Sequence, residues 1–169
     1  MNLKLLFKLN FFILFFGLFA QTSQASIECQ KDNDDLRSMP LGEVEFTRVD
    51  GSKYVVQVRV ADNNKTRSAG FQYVCAETIA QLPILFLFES VVKPSFHMNN
   101  VVAGIDIAFI RPDYTIDSIQ KMQPYVLIML NKPLYSPNSA VIAALEAHPG
   151  FYQKNNIDLT ARVSWQKAE

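Results

Sequence analysis

Apolar and polar positions alternate in two neighbouring stretches of the chain. Residues 44–49 alternate, residues 54–60 alternate again, and the pair Asp50-Gly51 lies between them. A period of two is typical of a half-buried strand, and an Asp-Gly pair favours a tight turn between two strands. The pattern therefore predicts a β-hairpin over residues 44–60.

Further apolar runs predict more strands after this hairpin. Residues 84–88 are apolar without alternation, which is typical of a central strand covered on both faces. The same reasoning predicts strands over residues 95–101, 105–110, 115–119 and 159–165. Residues 140–146 fit a strand or a helix equally well, and residues 151–155 fit one helical turn.

A short helix is predicted over residues 65–74, directly after the capping side chains of residues 62–64. The spacing i, i+3, i+4, i+7 would place Arg67, Gly70, Phe71 and Val74 on one face. A buried guanidinium needs a carboxylate or carbonyl partner, so Arg67 is unusual on such a face. A glycine inside a helix costs about 1 kcal/mol relative to alanine, so we expect a neighbouring element to approach Gly70 closely.

Residues 1–25 have the pattern of a secretory signal peptide. Lys4 and Lys8 precede an apolar run over residues 11–20, and Ser23 and Ala25 fit a small-x-small cleavage site. The apolar run is shorter than the roughly 20 residues that a membrane span requires, although an uncleaved anchor is the alternative. The protein is therefore predicted to be periplasmic or secreted, with membrane contact only through the signal peptide during export.

The rest of the chain has the composition of an ordinary globular domain. Its 169 residues are 49% hydrophobic and 19% charged, a length and balance that fit one domain. We expect an N-terminal extension over residues 26–42 and a single domain over residues 43–169. Lysine plus arginine equals aspartate plus glutamate at 16 each, which argues against a nucleic-acid partner.

Cys29 and Cys75 are the only cysteines in the sequence. In an exported protein an even number of cysteines favours a disulfide, and closing a loop of this length is worth about 2–4 kcal/mol. A dithiol metal or redox site is the alternative, but the sequence contains no C-x-x-C motif. We therefore expect a structural disulfide that ties the extension to the segment around residue 75.

Several short motifs follow one another in a fixed order. They are Arg67-x-x-Gly70-Phe71, the run 84–88, Phe96-x-Met98-x-Asn100, Asp106-Ile107-Ala108-Phe109, Asp113-x-x-Ile116, Pro124, Tyr135, and Leu145-Glu146 followed by Gly150. This set resembles the DUF192 family, also called UPF0127, over roughly residues 55–163. The resemblance implies an α+β domain without established activity. Its mostly antiparallel sheet would be curled into a barrel-like form, with one or two short helices.

Three of the chain's departures from this family lie close together. His97, Asn99 and Val101 stand where the family commonly has Trp, Lys and Thr. Any ligand contacts that those family residues make cannot be transferred to this chain. These departures do not affect the fold that the resemblance implies, but they weaken the inference that this chain binds the same ligand as the family.

Five residues at motif positions are the candidate ligand contacts, namely Arg67, Met98, Asn100, Asp106 and Glu146. If the four polar members converge, they form a pocket that recognises a small polar molecule through paired hydrogen bonds. Met98 is more simply explained as core filling. Asp106 is explained better as structural, paired with Arg67 or accepting hydrogen bonds from the backbone or Asn100, and a structural role is also open for Glu146.

The sequence assigns no catalytic residue, cofactor or metal ligand. It contains no Gly-x-Ser-x-Gly, no His-Glu-x-x-His and no phosphate-binding glycine loop. The first hypothesis is a non-catalytic binding module for a small polar ligand or a partner protein. The second is a small hydrolase or lyase that uses Asp106 and Glu146, which requires both carboxylates to lie across one open cleft. A third possibility is that the polar residues only specify the fold.

Overall fold

The computed structural model describes residues 28–126 and 129–167 of the chain, so the predicted signal peptide lies outside the described residues. Four short helices occur in this part of the chain: α1 (Asp34–Ser38), α2 (Asn64–Ala69), α3 (Ala76–Ile79) and α4 (Phe151–Lys154). The strands are β1 (Leu41–Thr47), β2 (Lys53–Ala61), β3 (Ile84–Val92), β4 (Ile105–Ile110), β5 (Ile116–Met122), β6 (Val141–Ala147) and β7 (Arg162–Lys167). No helix among the described residues is both long and apolar enough to cross a membrane.

These strands form one seven-stranded sheet in the order β5–β4–β6–β3–β2–β1–β7. The predicted hairpin is confirmed, because β1 pairs antiparallel with β2 and Phe46 lies opposite Tyr54. The non-alternating strand β3 lies in the middle of the sheet, as its sequence predicts. Its pairing with β2 is parallel, whereas its pairing with β6 is antiparallel.

The sheet is curled, which confirms the predicted α+β class, but it is not closed into a barrel. One isolated bridge between Thr115 and Arg162 brings the two edges together, and the amide of Val163 donates to the carbonyl of Tyr114 at 2.9 Å. The strands on either side of this bridge are not paired along their length.

The two faces of the sheet carry separate apolar clusters. We call the first the α2 face; it packs against α1, α3 and the turn after α2, and its buried members include Leu36, Phe71 and Ile79. The second, the α4 face, packs against α4 and includes Phe46, Phe151 and Tyr152. Because directly opposed residues of neighbouring strands point to the same face, the pairing register tells which face of the sheet each paired residue occupies.

The predicted disulfide is present. Cys29 and Cys75 are joined with their Cα atoms 4.9 Å apart. Backbone bonds hold the same segments together, since the amide of Cys75 donates to the carbonyl of Gln30 at 3.0 Å. Leu36 and Met39 are buried, so residues of the predicted extension also pack on the domain.

Two local predictions were wrong. The helix predicted over residues 65–74 ends at Ala69, because Gly70 follows it with φ 48° and ψ −135°, a conformation that glycine adopts readily. Residues 95–101 are not a strand: Phe96 makes an isolated bridge with Tyr135, and the chain then turns at Asn100, which has φ 58°. Because Pro94 has no N–H to donate and Asn100 is left-handed, this segment cannot continue a ladder.

Candidate functional site

A cleft of about 360 Å³ opens on the α2 face of the sheet. One wall is formed by the last turn of α2 and the residues that follow it, and the opposite wall by the loop after β3. Strands β3 and β6 form the floor. The lining residues used below are Arg67, Ser68, Gly70, Phe71, Gln72, Phe86, Phe88, Phe96, His97 and Glu146.

Glu146 contributes a carboxyl group to the floor of this cleft. It lies opposite Ile84 on one side and Ile107 on the other, so its side chain shares the α2 face with theirs. Glu146 is 5% exposed, and within residues 28–126 and 129–167 its carboxyl group makes no hydrogen bond. Burial raises the pKa of Glu146 to about 8, so the group is mainly a neutral carboxylic acid at pH 7.

Gly70 leaves this carboxyl group reachable from the cleft. A β-carbon at Gly70 would lie 3.8 Å from Oε2 of Glu146 and 3.5 Å from Cζ of Phe86. Any side chain at this position would therefore stand over the carboxyl group. The glycine that ends α2 thus also keeps the floor of the cleft open.

Aromatic rings form much of the remaining lining. The ring centroids of Phe86 and Phe96 are 5.0 Å apart in a T-shaped arrangement, and Phe96 also contacts Phe109 at 5.6 Å. Phe96 is fixed by two backbone hydrogen bonds with Tyr135, of 2.8 and 2.9 Å. Such edge-to-face packing holds the rings in place and gives the cleft a preformed shape.

Arg67 lines the cleft, and its guanidinium is occupied by neighbours. Nη1 donates to the carbonyl of Leu87 at 2.9 Å, and Nη2 donates to Oδ1 of Asn64 at 2.7 Å. Nη2 also lies 3.6 Å from Oε1 of Glu89. The carbonyl and carboxylate partners that the sequence led us to expect are therefore Leu87 and Glu89, and not Asp106.

Two other predicted site residues lie behind the cleft rather than in its lining. Met98 is 1% exposed and belongs to the apolar cluster of the α2 face. Asn100 donates from Nδ2 to Oε1 of Gln72 at 3.0 Å, and its carbonyl accepts from the amide of Tyr73 at 2.8 Å. Asn100 therefore supports the turn that carries Gln72, a residue that does line the cleft.

Asp106 lies on the opposite face of the sheet from Glu146. It is paired with Ala147, whereas Glu146 is paired with Ile107, so the two carboxyl groups point in opposite directions. Asp106 is 4% exposed, and its Oδ2 accepts a hydrogen bond from the amide of Gly150 at 2.8 Å. The open cleft between two carboxylates that a hydrolase or lyase would need is not formed by this pair.

The cleft lining contains two of the five predicted ligand contacts, together with residues that were not predicted to contact a ligand. Arg67 and Glu146 are in the lining, as are Gln72, Phe86 and His97, which the sequence did not single out as ligand contacts. Phe86 lies in an apolar run that predicts burial, and nothing local indicates that a cleft opens over it. Within the described part of the chain, no group of three or more His, Cys, Asp or Glu side chains could hold a metal ion.

Comparison with known proteins places this fold in a family. The model of the DUF192 family, described as an uncharacterized ACR, matches residues 46–165. The chain belongs to the DUF192 family. No curated protein matches it.

Two crystal structures resemble this DUF192 chain. One is a protein of Sinorhizobium meliloti 1021 that is named provisionally as a transcription regulator. The two chains superpose with a TM-score of 0.67 and are 20% identical, and the match covers 76% of this chain and 95% of the other. The other is a protein of unknown function from Novosphingobium aromaticivorans. Its TM-score with this chain is 0.65 at 19% sequence identity, and the match covers 80% of this chain and 99% of the other. At these identities the likeness shows a shared fold and carries no function.

Proposed function

We propose that this DUF192 domain is a non-catalytic binding module that holds a small molecule in the cleft over Glu146. The supporting observation is the carboxyl group at the floor, which is almost fully buried, faces the cleft and has no partner among the described residues. Buried polar groups in proteins are nearly always hydrogen-bonded, because an unpaired one loses its hydration without compensation. The carboxyl group of Glu146 is reachable from the cleft, and a ligand with a complementary polar group would supply its missing hydrogen bond.

The dimensions and lining of the cleft favour a small molecule over a protein surface. Its volume of about 360 Å³ falls within the range of roughly 300–1,000 Å³ that is usual for small-molecule sites. Aromatic walls with a few convergent polar groups are also typical of such sites. Phe86 and Phe96 supply the apolar contact area, and Glu146 fixes the orientation.

The position of Asp106 supports a binding role rather than catalysis. A carboxylate pair across a cleft would have suggested a hydrolase, but Asp106 lies on the other face and accepts a hydrogen bond from Gly150. The polar groups that do line the cleft include Arg67, whose terminal nitrogens are already engaged. This set holds a ligand without supplying a second carboxylate to a reaction.

The proposed module acts outside the cytoplasm. The disulfide between Cys29 and Cys75 supports this, since disulfides persist mainly in oxidising compartments. The signal-like pattern of residues 1–25 agrees with export to the periplasm or medium.

The test is a thermal-shift screen of protein purified after expression of the full chain, against sugars, amines, carboxylic acids and nucleosides. A ligand at 100 times its dissociation constant adds about 2.7 kcal/mol of stability. Ser68→Trp places an indole at an exposed position of the lining and should abolish the shift. Lys65→Trp, at an exposed position of α2 outside the lining, is the matched control and should retain the shift. No shift in the whole library, or shifts that survive Ser68→Trp, would overturn the proposal.

A further inference from the structure

We infer that the cleft selects a small organic ammonium ion, whose N–H groups donate to the carboxylate of Glu146 while phenylalanine rings surround its charge. This inference rests on the proposed binding function and names the chemical class of the ligand. Three features of the cleft carry it: the open acceptors of Glu146, the aromatic lining, and the engaged state of Arg67.

The first feature is the unpaired carboxyl group. Both oxygens of Glu146 lack a donor within the described residues, and Gly70 leaves Oε2 accessible from the cleft. An ammonium group brings several N–H donors and a positive charge, which together satisfy a buried carboxylate better than any neutral donor does. Burial raises the pKa of Glu146 and favours its protonated form, whereas a bound cation would favour the ionised form.

The second feature is the aromatic lining beside this carboxyl group. Phe71, Phe86, Phe88 and Phe96 all line the cleft. A cation within about 6 Å of a ring centroid is attracted to the negative face of the ring, and the attraction grows where water is excluded. Aromatic rings next to a carboxyl group therefore attract a positively charged ligand, and they offer no comparable attraction to an anion.

The third feature is the engagement of the other charged groups around the site. On the cleft side, each terminal nitrogen of Arg67 makes one hydrogen bond, to Leu87 and to Asn64, and Glu89 lies beside the guanidinium and offsets part of its charge. His97 lines the cleft from the loop after β3.

On the far side of the sheet, Tyr152 interacts electrostatically with Asp106 and also with Glu146. Neither Asp106 nor Tyr152 is cationic, so these two groups do not oppose a positive ligand above Glu146. A carboxylate ligand, by contrast, could pair only with the protonated form of Glu146, and it would be repelled by the ionised form.

The experiment compares probes of matched shape but different charge. Benzylamine, benzyl alcohol and benzoate are titrated at pH 7 into protein purified after expression of the full chain, as are butylamine, butanol and butyrate. We expect each amine to bind at least ten times more tightly than its alcohol, and each carboxylate to bind more weakly still. Isothermal titration in buffers of different ionisation enthalpy should show release of close to one proton per bound amine.

Glu146→Gln separates charge recognition from hydrogen bonding, because glutamine keeps polar atoms at the same place but cannot ionise. We expect this variant to bind the amines at least ten times more weakly and to release no proton. Glu77→Gln removes an exposed carboxylate on α3 that is outside the cleft lining, and it should change amine affinity less than twofold.

The outcomes distinguish the inference from the function on which it rests. Alcohols that bind as tightly as amines, or amine binding that survives Glu146→Gln, would overturn the ammonium assignment. If the library screen still yields a ligand that Ser68→Trp excludes, the cleft is a binding site for another class of molecule. If neither the probes nor the library bind, both proposals fail.

Discussion

Oε2 of Glu146 lies 3.8 Å from the point that a β-carbon would occupy at Gly70. This distance links the end of α2 to the floor of the cleft on β6. The positive φ of Gly70 ends the helix, and the absent side chain leaves the carboxyl group open. One glycine therefore has both a backbone role and a role in access to the site.

Gly70→Ala should lower stability and close the cleft at the same time. A non-glycine residue in such a backbone conformation costs about 1–3 kcal/mol, and the added methyl group would stand over Glu146. Denaturant unfolding measures the first effect, and titration with any ligand from the library screen measures the second. Gly51→Ala is the control, because Gly51 also has positive φ but an added β-carbon there has no neighbour within 4 Å. Equal ligand affinity in the two variants would contradict the role of Gly70 in access.

Glu146→Gln should change how stability depends on pH. The pKa of Glu146 is about 8 in the folded protein and near 4.5 when unfolded, so between these values the unfolded chain loses a proton that the folded protein keeps. The wild-type protein should therefore lose stability relative to the variant as pH rises through this window, by at most about 1.4 kcal/mol per pH unit. Below pH 4.5 and above pH 8 the difference should be constant. Urea unfolding of both proteins at pH 5, 6.5 and 8 checks this, and parallel stability curves would contradict it.

Asp106→Ala should destabilise the fold and leave ligand binding intact. Removing Oδ2 leaves the amide of Gly150 without its acceptor, and an unpaired group of this kind costs about 1–3 kcal/mol. Because Asp106 lies on the α4 face, affinity for cleft ligands should change less than twofold. Unfolding and titration of the same sample provide the two measurements. A tenfold loss of affinity would show that Asp106 takes part in binding after all.

Reduction of the disulfide should lower stability without unfolding the domain. The bond between Cys29 and Cys75 closes a long loop, and such a crosslink is worth about 2–4 kcal/mol. A double Cys29→Ser, Cys75→Ser variant should melt at the temperature of the reduced wild-type protein. It should also be insensitive to dithiothreitol. A melting temperature of the wild type that does not respond to the reductant would contradict the prediction.

Features set by neighbouring residues could be predicted from the sequence. Asp50-Gly51 sits between two alternating runs, and the hairpin forms there because turn and pattern agree. The non-alternating run in β3 correctly indicated a strand at the middle of the sheet. Both features depend on a few consecutive residues.

The grouping of the candidate site residues could not be predicted in the same way. Asp106 and Glu146 both interrupt apolar runs, and nothing local tells which face each will occupy. The pairing of Ile107 with Glu146 decides which face each carboxyl group occupies. If β4 were shifted by one residue against β6, Asp106 and Glu146 would lie on the same face. Register between distant strands is a property of the whole sheet.

The parallel pairing of β2 with β3 has a consequence for how the specificity of this domain can be changed. Parallel neighbours cannot be joined by a tight turn, so the chain must cross over between them, and that crossover carries α2 and Gly70. One wall of the cleft thus belongs to a connection outside the hydrogen-bonded ladder, whereas Glu146 belongs to the ladder itself. Exchange of the exposed, cleft-facing positions of the crossover, with its buried residues Phe71 and Ile79 kept, offers a way to redesign what the domain binds while its buried acid remains unchanged.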